Sequence, residues 1–255
     1  MQLKTFNVYD NQNKAVQDAF DMLTAKIHIN NSQKKLKTFA LTSCRPGEGK
    51  TSLAISLAIS IAHSGWRVLL VDGDMRKPTA SKRLSKETQM GLADYLAGKI
   101  EFSEAVSETN ITNLFYFACG TDCLNPVELL CSARFQELIN KARSRYDFVL
   151  FDTPALEIVA DANIIASNVE ATLIVVEAGS TSLVNIKRVK EQLENLNANI
   201  LGVVLNKVKK HEYKRYFSSY NYFHKKNGFF KNLLKKKKTY SRVENVAAKE
   251  NAAKL

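Results

Sequence analysis

A short apolar run at residues 39–41 breaks into Cys44-Arg45-Pro46-Gly47-Glu48-Gly49-Lys50-Thr51, and a mostly apolar stretch follows at residues 53–62. Strand, glycine-bearing loop and helix in that order form a cradle for phosphate. Glycine lets backbone N–H groups turn inward, and the start of the helix adds a favourable dipole. Lys50 has the reach for outer phosphates, and the Thr51 hydroxyl suits magnesium. The expected nucleotide-binding set is therefore Pro46, Gly47, Glu48, Gly49, Lys50, Thr51 and Ser52. One departure stands out: Cys44 occupies the place of the first glycine in such loops.

The rest of the chain supports a sheet around that loop. Short apolar runs recur at 38–43, 68–72, 114–118, 148–152, 172–177 and 201–206, separated by stretches of helical periodicity such as 126–142 and 183–196. This alternation predicts a mostly parallel central sheet with helices on both faces, whose ligands bind beyond the carboxyl ends of the strands. Before it, Ala15, Ala19, Phe20, Met22, Leu23 and Ile27 mark a helix that Asn30, Asn31 and Ser32 can end. The expected division is an N-terminal helical segment at 1–36, an α/β domain at 37–208 and a tail at 209–255.

Two of the runs end in acids. Val71-Asp72-Gly73-Asp74-Met75-Arg76 closes one and Phe151-Asp152-Thr153-Pro154 another. Parallel strands bring these ends to one edge, beside the phosphate loop. Three carboxylates would repel a triphosphate unless a metal lay between them, and magnesium takes oxygen ligands, keeping several waters. Asp152 therefore reads as a magnesium organiser. Asp72 and Asp74 exceed what one ion requires, which frees at least one to orient or deprotonate an incoming hydroxyl. An Asp at a strand end also commonly caps the next helix. Arg76 is suited equally to bracing a phosphate and to pairing with Asp74.

Charge separates the tail from the body. Residues 208–255 hold 14 Lys and Arg against 3 Asp and Glu, out of 37 and 25 in the whole chain. The body is nearly neutral, so a broadly basic nucleic-acid-binding fold is not expected, and the tail suits an acidic surface. Five of the nine tyrosines fall between residues 213 and 240. Tyr213, Tyr216, Tyr220 and Tyr222 sit among polar residues as exposed acceptors would, and equally as anchors of a partner interface. Phe229, Phe230, Leu233 and Leu234, followed by four lysines at 235–238, suit an anionic membrane face. The four cysteines make neither a disulfide framework nor a zinc spacing, and no secretory signal or membrane span is legible, so a reducing cytoplasm is the expected setting.

These residues resemble the cytoplasmic bacterial tyrosine kinases of capsular and exopolysaccharide assembly. The likeness rests on residues 46–51, on Val71-Asp72-Gly73-Asp74-Met75-Arg76-Lys77-Pro78, and on Phe151-Asp152-Thr153-Pro154. Asn125-Pro126-Val127-Glu128-Leu129-Leu130 and Leu205-Asn206 add to it. The resemblance implies a P-loop NTPase fold and autophosphorylation of C-terminal tyrosines from ATP and Mg2+. It assigns Lys50 and Thr51 to phosphate and magnesium and Asp72 to the base. Asp74 and Asp152 support metal and transfer, and Asn206 contacts adenine. It also implies a membrane-embedded co-polymerase-type activator that would hold the kinase at the inner face of the membrane. The family's N-terminal Glu-x-x-Arg-x-x-Arg ring contact becomes Asp18, Asp21 and Thr24 here, which leaves open a homo-oligomer of another kind and a monomer. Two other readings stand beside the kinase. One is a surface-cycling partition-type ATPase, which would usually carry a lysine where Arg45 stands. The other is an ATP-binding scaffold of weak catalytic power, a reading kept open by Ala155 in place of a family proline.

Overall fold

The structure is a computed structural model and describes residues 5–10, 13–76, 90–121, 123–209 and 212 of the 255. Lys77 and Pro78 lie outside the described residues, as do all four proposed acceptor tyrosines. The chain divides into two units, 1–208 and 209–255.

In the first unit eight strands form one sheet. They are β1 (Thr5–Phe6), β2 (Thr38–Ser43), β3 (Val68–Asp72), β4 (Val106–Thr109), β5 (Leu114–Phe117), β6 (Phe148–Asp152), β7 (Ala171–Glu177) and β8 (Ile200–Asn206). Their order across the sheet is β1-β4-β5-β3-β6-β2-β7-β8. Every pairing is parallel except β4 with β5. The mostly parallel α/β sheet expected from the apolar runs is therefore present, and each of those runs is a strand. The two short strands at one end of the sheet, β1 and its neighbour β4, were not legible. Val-Ser-Glu-Thr carries little apolar signal, and the ladder there is extended by a side chain: the Asn110 amide both donates to the Val8 carbonyl and accepts its N–H.

The central strands are buried on both faces, and their alternation sorts them into two cores. Phe39, Leu41, Val68, Leu70, Leu114, Tyr116, Phe148 and Leu150 face α2 (Lys50–His63). Ala40, Leu69, Val71, Phe117, Val149 and Phe151 face the opposite side. There they meet α6 (Ala133–Arg145), α7 (Asp161–Asn168) and α8 (Leu183–Asn195), with the short α3 (Leu92–Leu96) and α4 (Phe102–Ala105). In α2 every residue from Leu53 to Ala62 is buried. The reason is α1 (Lys14–Asn31), which packs on its outer flank through Phe20, Leu23 and Ile27. The Ser60 hydroxyl bonds to Thr24 Oγ1 and donates to Asp21, each at 2.8 Å. The N-terminal helix is thus a layer of the first unit rather than a segment set apart.

The helical stretch expected at 126–142 is two helices, α5 (Pro126–Leu130) and α6. Ser132 between them is extended, and its hydroxyl bonds the Leu129 carbonyl at 2.7 Å, closing one helix where the next begins.

Candidate functional site

The glycine loop connects β2 to α2, and two glycines shape it. Gly47 and Gly49 have φ of +82° and +88°, a region costly for any side chain. At Gly49 space is short as well: an added Cβ would lie 2.3 Å from Asn206 Nδ2. Cys44 is not among the residues with positive φ, so glycine is not required there. Its side chain is fully buried, and burial, then the Glu48 charge, raises the thiol to about 11. It is a neutral core residue.

Glu48 plays a different part from its neighbours. Its side chain is buried, and the carboxylate accepts the Arg45 N–H at 2.9 Å and the Thr181 hydroxyl. Its carbonyl accepts from the Asn206 amide at 2.9 Å. Glu48 and Asn206, expected to contact nucleotide, therefore hold the loop in shape from the ends of β7 and β8. The Arg45 guanidinium donates to the Ser180 carbonyl at 3.0 Å, which fastens the loop further. Backbone preset in this way costs little ordering when a phosphate arrives.

The acids converge as the strand ends suggested. Asp72 and Asp152 are register partners on β3 and β6, and their side chains share the face occupied by Leu70 and Leu150, toward α2. With Thr51, Ala54, Ile55, Leu70 and Tyr116 they line a cavity of about 10 Å³ under the first turn of α2. Asp72 Oδ1 accepts the Asp74 N–H at 3.2 Å, and the Asp152 carbonyl accepts the Gly73 N–H at 2.8 Å. Asp74 stands half-buried just beyond the strand. Arg76 feels the Asp74 charge, but its direct partner is another acid. Its guanidinium makes two bonds to Asp161, at 2.8 and 3.0 Å. Asp161 is fully buried at the start of α7, and nothing in its sequence surroundings marked it.

Asp152 is strongly perturbed. Burial, then the Asp72 charge, pushes its carboxyl up from 3.8 to about 7, against the pull of the Thr51 hydroxyl and Lys50. Its Oδ1 is buried with no hydrogen-bond partner. An orphaned oxygen beside a second carboxylate, at a lysine and a threonine that open a helix, fits a divalent cation. Among the described residues no three carboxylate, histidine or cysteine side chains could hold an ion unaided. Magnesium takes one or two carboxylates and is completed by phosphate and water.

The raised carboxyl carries a stability prediction. Its folded value lies above its unfolded one, so its contribution is full below about pH 4 and is lost as pH rises through about 7. In nucleotide-free protein, Asp152→Asn is expected to raise the melting temperature at pH 8, with the gain narrowing toward pH 5. Thermal melts at the two pH values check this, and a variant less stable than wild type at pH 8 refutes it.

Loop, helix start and paired acids at one edge of a parallel sheet define a P-loop nucleotide-binding protein. An AAA domain profile matches residues 36–206. Tyrosine-protein kinase CpsD of Streptococcus pneumoniae serotype 4 is 37% identical over 196 residues, covering 76% of this chain and 86% of the relative. The kinase domain of Escherichia coli tyrosine kinase ETK superposes with a TM-score of 0.73 at 29% identity, covering 76% of each chain. The septum site-determining protein MinD of Pyrococcus horikoshii, complexed with Mg-ADP, shares the fold at a TM-score of 0.56 and 24% identity, covering 66% of this chain and 69% of that one. The chain belongs to the bacterial tyrosine-protein kinase family, within the AAA-domain P-loop proteins. Among the described residues no helix is long and apolar enough to cross a membrane.

Proposed function

We propose that the protein transfers the γ-phosphoryl group of ATP to tyrosine hydroxyls, its own C-terminal ones first, and so regulates capsular or exopolysaccharide assembly. The observation that carries this reading is the pairing of Asp72 with Asp152 beside Lys50 and Thr51. One carboxylate serves the metal and leaves the other for the acceptor.

Lys50 and the loop amides hold the phosphates, and Thr51, Asp74 and Asp152 are the residues to hold magnesium. The ion, when bound, neutralises charge on the transferring group. A tyrosine hydroxyl has a pKa of about 10, so little phenolate exists at neutral pH. Asp72 takes the proton as the phenol oxygen attacks. Tyr213, Tyr216, Tyr220 and Tyr222 are the proposed acceptors. A membrane-embedded activator at the inner face of the membrane is the proposed partner, with the basic tail available to anionic lipid. The name of the related CpsD, a tyrosine-protein kinase, supports the activity. In Arg45, bound to Ser180 of its own chain, the loop lacks the lysine of partition-type ATPases.

Full-length protein incubated with labelled ATP and magnesium, with and without an activator fragment, is expected to carry phosphotyrosine at 213–222 by mass spectrometry. Phosphate release without label would instead favour a partition-type ATPase. Neither signal would favour a scaffold.

A further inference from the structure

The cavity beneath α2 contains one group that the proposed reaction does not use. Tyr116 on β5 is a register partner of Leu70 on β3, two residues before Asp72 on the same face. From there its hydroxyl donates to Asp72 Oδ2 at 3.3 Å. The other oxygen of Asp72 accepts the Asp74 N–H at 3.2 Å. The carboxylate is thus gripped from the core side and from its own chain.

The residue is not explained as core filling. Tyr116 is 4% exposed, and phenylalanine would occupy the same apolar space without a hydroxyl to satisfy. Its burial also rules it out as a surface acceptor of phosphate. Burial, then the Asp72 charge, holds its ionisation well above the usual phenol value, so it remains a donor.

We propose that Tyr116 is a positioning residue for Asp72, fixing the orientation of its carboxylate toward the incoming hydroxyl. The proposal rests on the assignment of Asp72 as base. Tyr116 itself gives up no proton and touches neither nucleotide nor acceptor. A carboxylate free to rotate would spend less time in attack geometry, and misplacement on the order of 1 Å can cost about a hundredfold in rate.

The test is a double-mutant cycle in the full chain, read on phosphoryl transfer to whichever acceptor wild type uses, tyrosine or water. Tyr116→Phe is expected to lower kcat roughly 10- to 100-fold, with KM for Mg-ATP and affinity for Mg-ADP unchanged. In an Asp72→Asn background the same substitution is expected to cost nothing further. Leu114→Val, another β5 core change on that face, controls for lost stability and is expected to leave kcat unchanged. An unchanged kcat in Tyr116→Phe, or an equal loss in both backgrounds, overturns the proposal. An Asp72→Asn enzyme as fast as wild type removes the base and the proposal together. Wild-type turnover to water alone defeats the kinase reading but leaves the cycle readable, and no turnover to either acceptor overturns both.

Discussion

Lys50→Met is expected to abolish transfer of label from ATP to tyrosine. Lys50 is the first residue of α2, half-buried, directly after Gly49. Its ammonium is the compact charge that follows the outer phosphates as charge shifts in transfer, and methionine keeps the stem while removing the cation. Losing one such preorganised group costs on the order of 10² to 10³ in rate. Here the loss is compounded, because Lys50 also offsets charge on Asp152. Phosphotyrosine by mass spectrometry, with melting temperature as the control for folding, checks the outcome. Label comparable to wild type would refute the role.

Asp72→Asn is expected to give the second largest loss, of a different kind. Asparagine retains the shape: its oxygen can accept the Asp74 N–H, and its amide nitrogen, in the place of the oxygen that meets Tyr116, can donate to the phenol oxygen. It cannot take a proton. General-base catalysis is worth roughly 10² to 10⁴, so transfer falls steeply while nucleotide binding persists. Mg-ADP titration alongside single-turnover phosphotyrosine formation separates the two effects. Undiminished label would remove Asp72 as base, and equal loss of nucleotide affinity would make it a binding group instead.

Much of this site was legible because its parts are local in sequence. The loop is eight contiguous residues, and the acids end apolar runs whose burial makes them parallel strands. Parallel order alone then carries Asp72 and Asp152 to one edge, although 80 positions separate them in the chain. What was not legible depends on pairing across the sheet. Tyr116 reads as one more aromatic in Leu-Phe-Tyr-Phe until β5 lies beside β3. Asp161 becomes the partner of Arg76 only once α7 is placed. Glu48 looked like a loop residue facing ligand, and only the neighbouring ends of β7 and β8 turn its carboxylate inward. Polar β4 escaped because only Ser107 of its four residues is buried, so it carries little apolar pattern.

The docking of α1 on α2 has a practical side. The AAA domain profile begins at residue 36, just past α1. Trimming the chain to that boundary would uncover the apolar flank of α2 on which Phe20, Leu23 and Ile27 pack, with Ser60 stripped of both its partners. An apolar strip of that extent invites clumping. The shared catalytic region and the smallest piece that stays dispersed in water are therefore different lengths of polypeptide.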